Sequence, residues 1–498
     1  MLFGWFREGA ARHPEATAIE VAGEAVRYRE LLDLVERLAS RLVGAAGDRV
    51  PATVGVLATR SLAAYAGYLA GLRLGATVVP LRPDAPVGRN AGMCRASGVD
   101  TVVADAAGAR QLGELARRAG AAAVELGSRG GQPWYWSLSN RPWSEPVPER
   151  PDGVVYVVFT SGSTGEPKGV PIRRRHLAEY LPYCRGRYEP GPGDRFGQPF
   201  ELTFDGWVLG TFLTWGAGAT LVVPGPDEVL DPVRLIATRR LSHWFSVPSV
   251  ISIAQRHGTL PPASLPELRR SLFGGEQLTL DQARAWAAAA PHSAIDNLYG
   301  PTELTVSCAG YRLPTDQAQW PVTSNGTVPI GPIYPHLEAV VLTEDGIAGD
   351  EGELSVRGSQ RFDGYLDPAH DQGSFVHLDE AGGDAFYRTG DRVQAGPDGV
   401  LVHLGRLDDQ VKLRGYRVAL GEIEAALRVH PKVREAVVLA APSLHAVYTG
   451  DRVDEAELAA AVAERLPPYM RPERYRWVAS LPVTPNGKVD RRRLAADL

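Results

Sequence analysis

Short apolar runs recur along this chain with helical stretches between them, and that alternation narrows the fold more than any other feature. Thr53–Leu57, Ala76–Pro80, Thr101–Ala104, Val154–Thr160 and Ala219–Val223 have the length and apolar content of buried strands. Residues 29–43 place Leu31, Val35, Leu38 and Leu42 at helical spacing, just after the strand-like Ala25–Tyr28. Such a pattern predicts an α/β fold with parallel sheets covered on both faces. At 498 residues the chain exceeds what one core holds, so two or more domains are expected. Residues 128–152, rich in Gly, Pro, Ser and Trp, read as a long surface excursion. A second boundary falls near Gly405–Gln410. Beyond it the chain reads as a strand over Val411–Val418, a helix over Leu420–Val429, a strand over Val433–Ala440 and a helix over Asp454–Leu466. That is enough for one small α+β domain.

Composition removes several function classes. A net charge of −5 offers no basic field for nucleic acid or an anionic membrane. No stretch approaches the roughly 18 apolar residues of a spanning helix, and the N-terminus lacks a signal-peptide core. Cys94, Cys184 and Cys308 lie too far apart for a disulfide framework or metal-ligand spacing. The expectation is a reduced, cytoplasmic protein with no nucleic-acid or membrane partner.

Residues 160–169 read Thr-Ser-Gly-Ser-Thr-Gly-Glu-Pro-Lys-Gly at the end of the apolar run Val154–Phe159. Gly162 and Gly165 let backbone approach an anion closely. Main-chain amides, the hydroxyls of Thr160, Ser161, Ser163 and Thr164, and the Lys168 ammonium then form a polyphosphate cradle. The string is not a Walker A loop, because Pro167 stands where that loop runs into a helix. The plain alternative is a Ser/Gly-rich surface loop.

Four further strings carry chemistry. Asn297-Leu298-Tyr299-Gly300-Pro301-Thr302-Glu303 displays an aromatic, a hydroxyl and a carboxylate from one tight turn. A tyrosine face suits adenine, a hydroxyl suits phosphate, and a carboxylate suits Mg²⁺. An ordinary turn is the other reading. Asp391, in Tyr387-Arg388-Thr389-Gly390-Asp391, can accept from two vicinal ribose hydroxyls, or be a turn aspartate. Gly405-Arg406-Leu407-Asp408 marks the boundary. Pro485-Asn486-Gly487-Lys488, taken alone, is a hairpin turn with an exposed lysine.

Together these strings resemble the acyl-adenylate-forming superfamily, and Val26–Leu31, Leu74–Leu81 and Gly352–Leu354 extend the resemblance from about residue 10 to the end. Phe204-Asp205-Gly206, Gly274-Gly275-Glu276 and the Leu466–Asp490 segment are similar to amino-acid adenylation domains of nonribosomal peptide synthetases. The resemblance implies a large N-terminal α/β domain of layered subdomains with a small β portion, over 1–407. It also implies a small mobile α+β domain over 408–498, swinging about Asp408. Thr160 to Gly165 and Lys168 would hold the phosphates of ATP, Thr302 the α-phosphate and Glu303 the Mg²⁺. Asn297, Tyr299 and Gly300 would hold adenine, and Asp391 with Arg406 the ribose. Lys488 would bridge substrate carboxylate and nucleotide.

Asp205 is implied to hold the substrate's α-ammonium, since a cation entering a pocket needs a fixed anion. Matching within motifs places the side-chain pocket at Gly206, Leu209, Phe245, Leu272, Gly274, Leu298, Val306 and Ser307. An apolar pocket of this size suits an uncharged, medium aliphatic side chain. Trp207 replaces the family's small polar residue, Arg361–Tyr365 is atypical, and Ser443–Asp454 looks short enough to lack a strand. None of these departures is expected to touch the phosphate or ribose groups.

The implied activity is ATP-dependent formation of an aminoacyl-adenylate, then transfer to the phosphopantetheine thiol of a separate carrier protein with the Val411–Arg417 face at the active site. The alternative is a ligase passing the adenylate to coenzyme A or an amine; a non-catalytic nucleotide-binding module is a third reading. The short N-terminus favours a free-standing enzyme over an excised domain.

Overall fold

The computed structural model describes residues 2–127, 134–138, 141–146, 152–162, 166–378, 384–396, 398–408, 410–413, 415–440, 443–482, 489 and 491–496. The apolar runs are strands, with limits within a residue or so of those expected. Thr53–Leu57, Thr77–Leu81, Thr101–Asp105, Ala122–Leu126 and Val154–Thr160 form a parallel sheet that Lys168–Arg173 closes antiparallel at one edge. A second sheet of eight strands runs from Ala309–Arg312 through Ala294–Tyr299, Arg270–Gly274, His243–Ser246, Arg195–Gly197, Thr220–Val223 and Thr17–Val21 to Glu24–Arg27. Its interior pairs are parallel and both edge strands are antiparallel. The helix Tyr28–Ala45 buries Leu31, Val35, Leu38 and Leu42 on one face, as their spacing requires. The helix Leu62–Arg73 is buried all round, as a helix sandwiched within a core must be.

A five-stranded antiparallel sheet, with Glu351–Gly358 and Phe386–Ala395 at its centre, is the smaller β portion. The chain leaves it at Arg406 and enters an antiparallel hairpin at Gln410. Val411–Val418 is therefore two strands, Gln410–Leu413 and Tyr416–Ala419, rather than one. The chain reverses between Leu413 and Tyr416, where Gly415 takes a φ of +83°, a value open to glycine at little cost. The helix Leu420–Arg428 then packs on a three-stranded sheet. The strand expected to be missing is present: Leu444–Gly450 pairs with Val433–Ala440 on one side and Arg474–Trp477 on the other.

Of the 128–152 stretch, residues 128–133, 139–140 and 147–151 lie outside the described residues, and the described ones are less of an excursion than composition suggests. Trp134 and Leu138 are buried. The Trp143 amide donates to the Glu36 carbonyl, and its own carbonyl accepts from Arg73. Tryptophans outweighed glycines here, because their area is too large to leave in water. Among the described residues, no helix is long and apolar enough to cross a membrane.

Candidate active site

The cleft forms where the carboxyl ends of the parallel strands of both large sheets meet, the position where open α/β sheets bind ligands. Thr160 ends one strand, Gly274 another and Tyr299 a third. Thr160, Ser161, Gly300 and Thr302 line one part of it, with Asp391 and Arg406. Asp205, Gly206, Phe245, Gly274, Leu298, Val306 and Ser307 line the other part. Leu209 and Leu272 do not reach it. Both lie wholly in the core. Phe245 and Leu298 close over the strand at Gly274, where an added Cβ would meet each at 3.4 Å, so the wall stops above Leu272.

Strand pairing of Thr160 with Lys168 pinches the phosphate loop. A Cβ at Gly162 would stand 2.2 Å from the Glu166 carbonyl oxygen, so only glycine lets the loop fold back on itself. Ser163, Thr164, Gly165 and Lys488 lie outside the described residues. Lys168 is half-buried with its ammonium 5.1 Å above the Tyr365 ring. Burial, and then the Arg417 charge, hold its pKa below the ordinary lysine value.

Asp205 precedes the helix Gly206–Gly216 but does not cap it. Its carboxylate is buried, and Oδ2 has no hydrogen-bond partner among the described residues. Burial pushes its pKa up to about 6, against the opposing pull of the Thr302 hydroxyl. A buried carboxylate left free beside an apolar wall is suited to a cation brought by a ligand. Trp207 does not disturb this register. It turns to the helix Leu62–Arg73, edge-on to Tyr68 with centroids 4.6 Å apart. The Phe204 ring, in contrast, stacks on Phe200 at 5.0 Å and lines the cleft. The wall itself is strained: Thr305 and Val306 both sit at positive φ (59° and 72°), a region β-branched residues seldom enter. The Thr305 hydroxyl, donating to the Gln360 carbonyl at 2.7 Å, helps hold them there.

Asp391 is buried and accepts from three groups: the Tyr299 hydroxyl at 2.6 Å, His403 Nε2 at 3.1 Å and Arg406 Nη1 at 3.0 Å. Burial opposes ionisation, but His403, Arg406 and Lys412 hold its carboxyl well below the usual range. His403, itself bonded to Gln277, had no sequence signal. The Asn297 side-chain NH₂ donates to the carbonyls of Val328 and Pro329, at 3.1 and 2.9 Å, while its Oδ1 is buried with no hydrogen-bond partner among the described residues. The residue does not itself line the cleft.

Glu303 is fully buried and accepts from the Tyr365 hydroxyl at 2.7 Å. Here the sequence reading is corrected: the atypical Arg361–Tyr365 segment does touch residues expected at the phosphate and metal positions, through Tyr365 to both Glu303 and Lys168. Its Phe362 amide also donates to the Glu303 carbonyl. Among the described residues, no three His, Cys, Asp or Glu side chains form a metal cluster. The Glu303 carboxylate and the Thr302 hydroxyl are hard oxygen donors of the kind Mg²⁺ takes alongside phosphate oxygens.

The hairpin of the small domain lies in this cleft. Arg417 Nη1 donates to both Glu303 oxygens at 3.1 Å. The Gly415 amide donates to Glu276 at 2.9 Å, and Lys412 Nζ stands 5.7 Å from the Tyr299 ring centre. The Ser161 hydroxyl donates to the Arg417 carbonyl at 2.6 Å and accepts from the Ala419 amide at 3.0 Å. At the outer end, Arg82 donates to the Tyr416 hydroxyl at 2.8 Å and lies over Tyr416 and Tyr469, whose rings stack 4.0 Å apart. Arg89 pairs with Glu422 at 2.5 Å. Of these interdomain partners, Arg82, Arg89 and Glu422 were not singled out from sequence, because a residue's role across an interface leaves no local pattern.

Known proteins are similar to this chain. A segment of tyrocidine synthase 3 from Brevibacillus parabrevis is 33% identical over 98% of this chain, which spans only 7% of that protein. The L-proline–(L-prolyl-carrier protein) ligase of Pseudomonas fluorescens is 32% identical, with 97% of each chain covered. The solved Vibrio cholerae adenylation domain AlmE, in complex with glycyl-adenosine-5′-phosphate, superposes with a TM-score of 0.84 at 27% identity, covering 99% of this chain and 98% of that one. The profile for AMP-binding enzymes matches residues 6–366, and that for the AMP-binding enzyme C-terminal domain matches residues 422–488. On that match, which takes in most of its length, the chain belongs to the AMP-binding enzyme family.

Proposed function

We propose that this chain activates an α-amino acid with an uncharged, medium aliphatic side chain as its adenylate, releasing pyrophosphate, and then passes it to the phosphopantetheine thiol of a carrier protein. The observation that carries the amino-acid reading is Asp205. It is a buried carboxylate with a free oxygen, set in a wall of Phe245, Leu298 and Val306, and an ammonium is what such a group lacks. The ligase of Pseudomonas fluorescens, by its name, joins an amino acid to a carrier protein, and this supports the second step.

In the first step the substrate carboxylate attacks the α-phosphorus in line, and the bond to the bridging oxygen of pyrophosphate breaks. Positioning and charge neutralisation do most of the work. Asp205 orients the amino group. Thr160, Ser161, Gly162 and Lys168 hold the phosphates, with Ser163, Thr164 and Gly165 continuing the loop. Thr302 faces the α-phosphate. Glu303 would hold the Mg²⁺ that accompanies ATP, which would neutralise charge on the leaving phosphates. Tyr299 and Gly300 border the adenine site, and Asp391 with Arg406 takes the ribose hydroxyls. Lys488 neutralises charge at the reacting carboxylate. In the second step the small domain turns about Asp408 and brings its hairpin to the cleft. The hairpin's present position supports this part of the reading.

An ATP–pyrophosphate exchange screen across amino acids tests the proposal. Valine- or isoleucine-sized substrates are expected to exchange best. Preference for acidic or basic amino acids would overturn the pocket assignment. Mass spectrometry of a carrier protein incubated with enzyme, ATP and the best substrate tests the transfer. An acyl-coenzyme A or amide product in its place would refute the carrier step.

A further inference from the structure

Asp205 Oδ2 is not the only stranded polar atom in its neighbourhood. The Tyr156 hydroxyl, the Tyr68 hydroxyl and the Trp207 indole N–H are also buried with no hydrogen-bond partner among the described residues. Each of the four residues is 5% exposed or less, so bulk solvent satisfies none of them. They come from three elements. Trp207 follows Asp205 by two places and stands on the helix Gly206–Gly216. Tyr68, on the helix Leu62–Arg73, meets the Trp207 ring edge-on with centroids 4.6 Å apart. Tyr156 shares a strand face with Val158 and Thr160, which line the cleft, but is itself outside the lining. Burial, and then the Asp205 charge and the Tyr68 phenol, hold the Tyr156 pKa well above the ordinary value, so the hydroxyl keeps its proton and remains a donor.

The chemistry of the set is one-sided. Two phenols and an indole bring three protons, and Asp205 brings the one anionic acceptor. Tyr156 and Asp205 sense each other's charge, yet no direct bond joins them. Polar neighbours in a buried site that are too far apart to bond directly are bridged by water. A water accepts from two donors and donates to two acceptors. That suits a phenol and an indole on one side, and a carboxylate and a second phenol oxygen on the other. A carboxylate has about four acceptor sites, more than an ammonium arriving from the cleft fills.

We infer that Tyr156 is a positioning residue for Asp205: with Tyr68 and Trp207 it holds buried water against Oδ2, so that the carboxylate is already oriented when the substrate's α-ammonium arrives. The inference deepens the amino-acid reading above and rests on it.

Tyr156→Phe tests this by removing one oxygen and nothing else. A hydroxyl that bonds nothing would be lost at no cost, leaving amino-acid binding alone and raising the melting temperature. A hydroxyl that anchors the water gives the opposite result. The melting temperature should fall. In ATP–pyrophosphate exchange, KM for the best amino acid should rise about tenfold while KM for ATP stays within about twofold. Tyr68→Phe removes a second partner of the same water, so the two substitutions together should raise the amino-acid KM by less than the product of their separate effects. A crystal structure of the parent protein should show ordered water bonded to both the Tyr156 hydroxyl and Asp205 Oδ2. An unchanged amino-acid KM, an equal rise in both KM values, a higher melting temperature or a dry void behind Asp205 overturns the inference. If Tyr156→Phe does not fold, Tyr68→Phe decides by the same readings. Failure of the amino-acid reading would show separately, as absent exchange by the parent protein for every amino acid; melting temperatures and crystal density would then still decide the water.

Discussion

Arg406 clasps Asp408 through paired hydrogen bonds of 2.7 Å each, and its remaining nitrogen donates to Asp391 at 3.0 Å. One guanidinium therefore joins the proposed ribose acceptor to the proposed hinge. Lysine keeps the charge but loses the planar fork. Arg406→Lys should raise KM for ATP about tenfold, equivalent to one charge-assisted hydrogen bond. It should also speed proteolysis near Leu407, which is already 57% exposed. Unchanged values of both would mean the bridge is incidental.

Asp205 pits function against stability. Its folded pKa, about 6, lies above the ordinary 3.8 because burial disfavours the charge. Below pH 3.8 the carboxyl is neutral in folded and unfolded chains alike. Between 3.8 and about 6 the unfolded chain ionises first. Above about 6 the destabilisation is complete, on the order of 3 kcal/mol. Asp205→Asn should therefore raise the melting temperature at pH 7.5 while cutting amino-acid-dependent exchange at least a hundredfold. In the parent protein, KM for the amino acid should climb as pH drops through about 6. Calorimetry and exchange kinetics read the two effects; a lower melting temperature for the variant would contradict the burial argument.

Arg82 should separate the half-reactions. It contributes a hydrogen bond and two cation–π contacts to Tyr416 and Tyr469 across the domain boundary. Their loss is worth about 1–2 kcal/mol. Arg82→Ala should leave ATP–pyrophosphate exchange near normal and slow thioester formation about tenfold in single-turnover assays. Equal slowing of both would show that the contact serves folding instead.

Phe245 sets the reach of the pocket. Its ring packs edge-on to Phe200 at 4.7 Å and covers Gly274. Phe245→Ala should move preference toward longer side chains, with methionine gaining on valine at least tenfold in exchange. Stability should fall by about 3–5 kcal/mol, the usual range for a truncated core aromatic. An unaltered ranking of substrates would place the side chain elsewhere.

Much of this was legible in the chain. Strand limits at Thr53–Leu57 and Val154–Thr160 follow from apolar runs, and the helix over Leu31 to Leu42 from its period. Cleft residues such as Thr160, Thr302 and Asp391 sit on short motifs whose turn chemistry is local. Leu209 and Leu272 were misplaced because an apolar side chain has the same signature in a core and in a pocket. The bonds from the Asn297 side-chain NH₂ to Val328 and Pro329 were not legible because those partners are some thirty residues away. Tyr365 was dismissed because its segment departs from pattern, yet that departure puts a hydroxyl on Glu303. The hairpin at Gly415 was missed for lack of a turn residue other than that glycine. Arg82, His403 and Tyr469 matter only through partners that three-dimensional folding supplies.

Thr305 and Val306 hold backbone angles that cost each of them about 1–3 kcal/mol. A segment under that tension has little freedom to yield to a guest of the wrong shape. If Val306 lines the substrate pocket as proposed, discrimination there would come from stiffness laid down when the chain folds, before any substrate arrives, and a glycine at 305 would trade selectivity for ease.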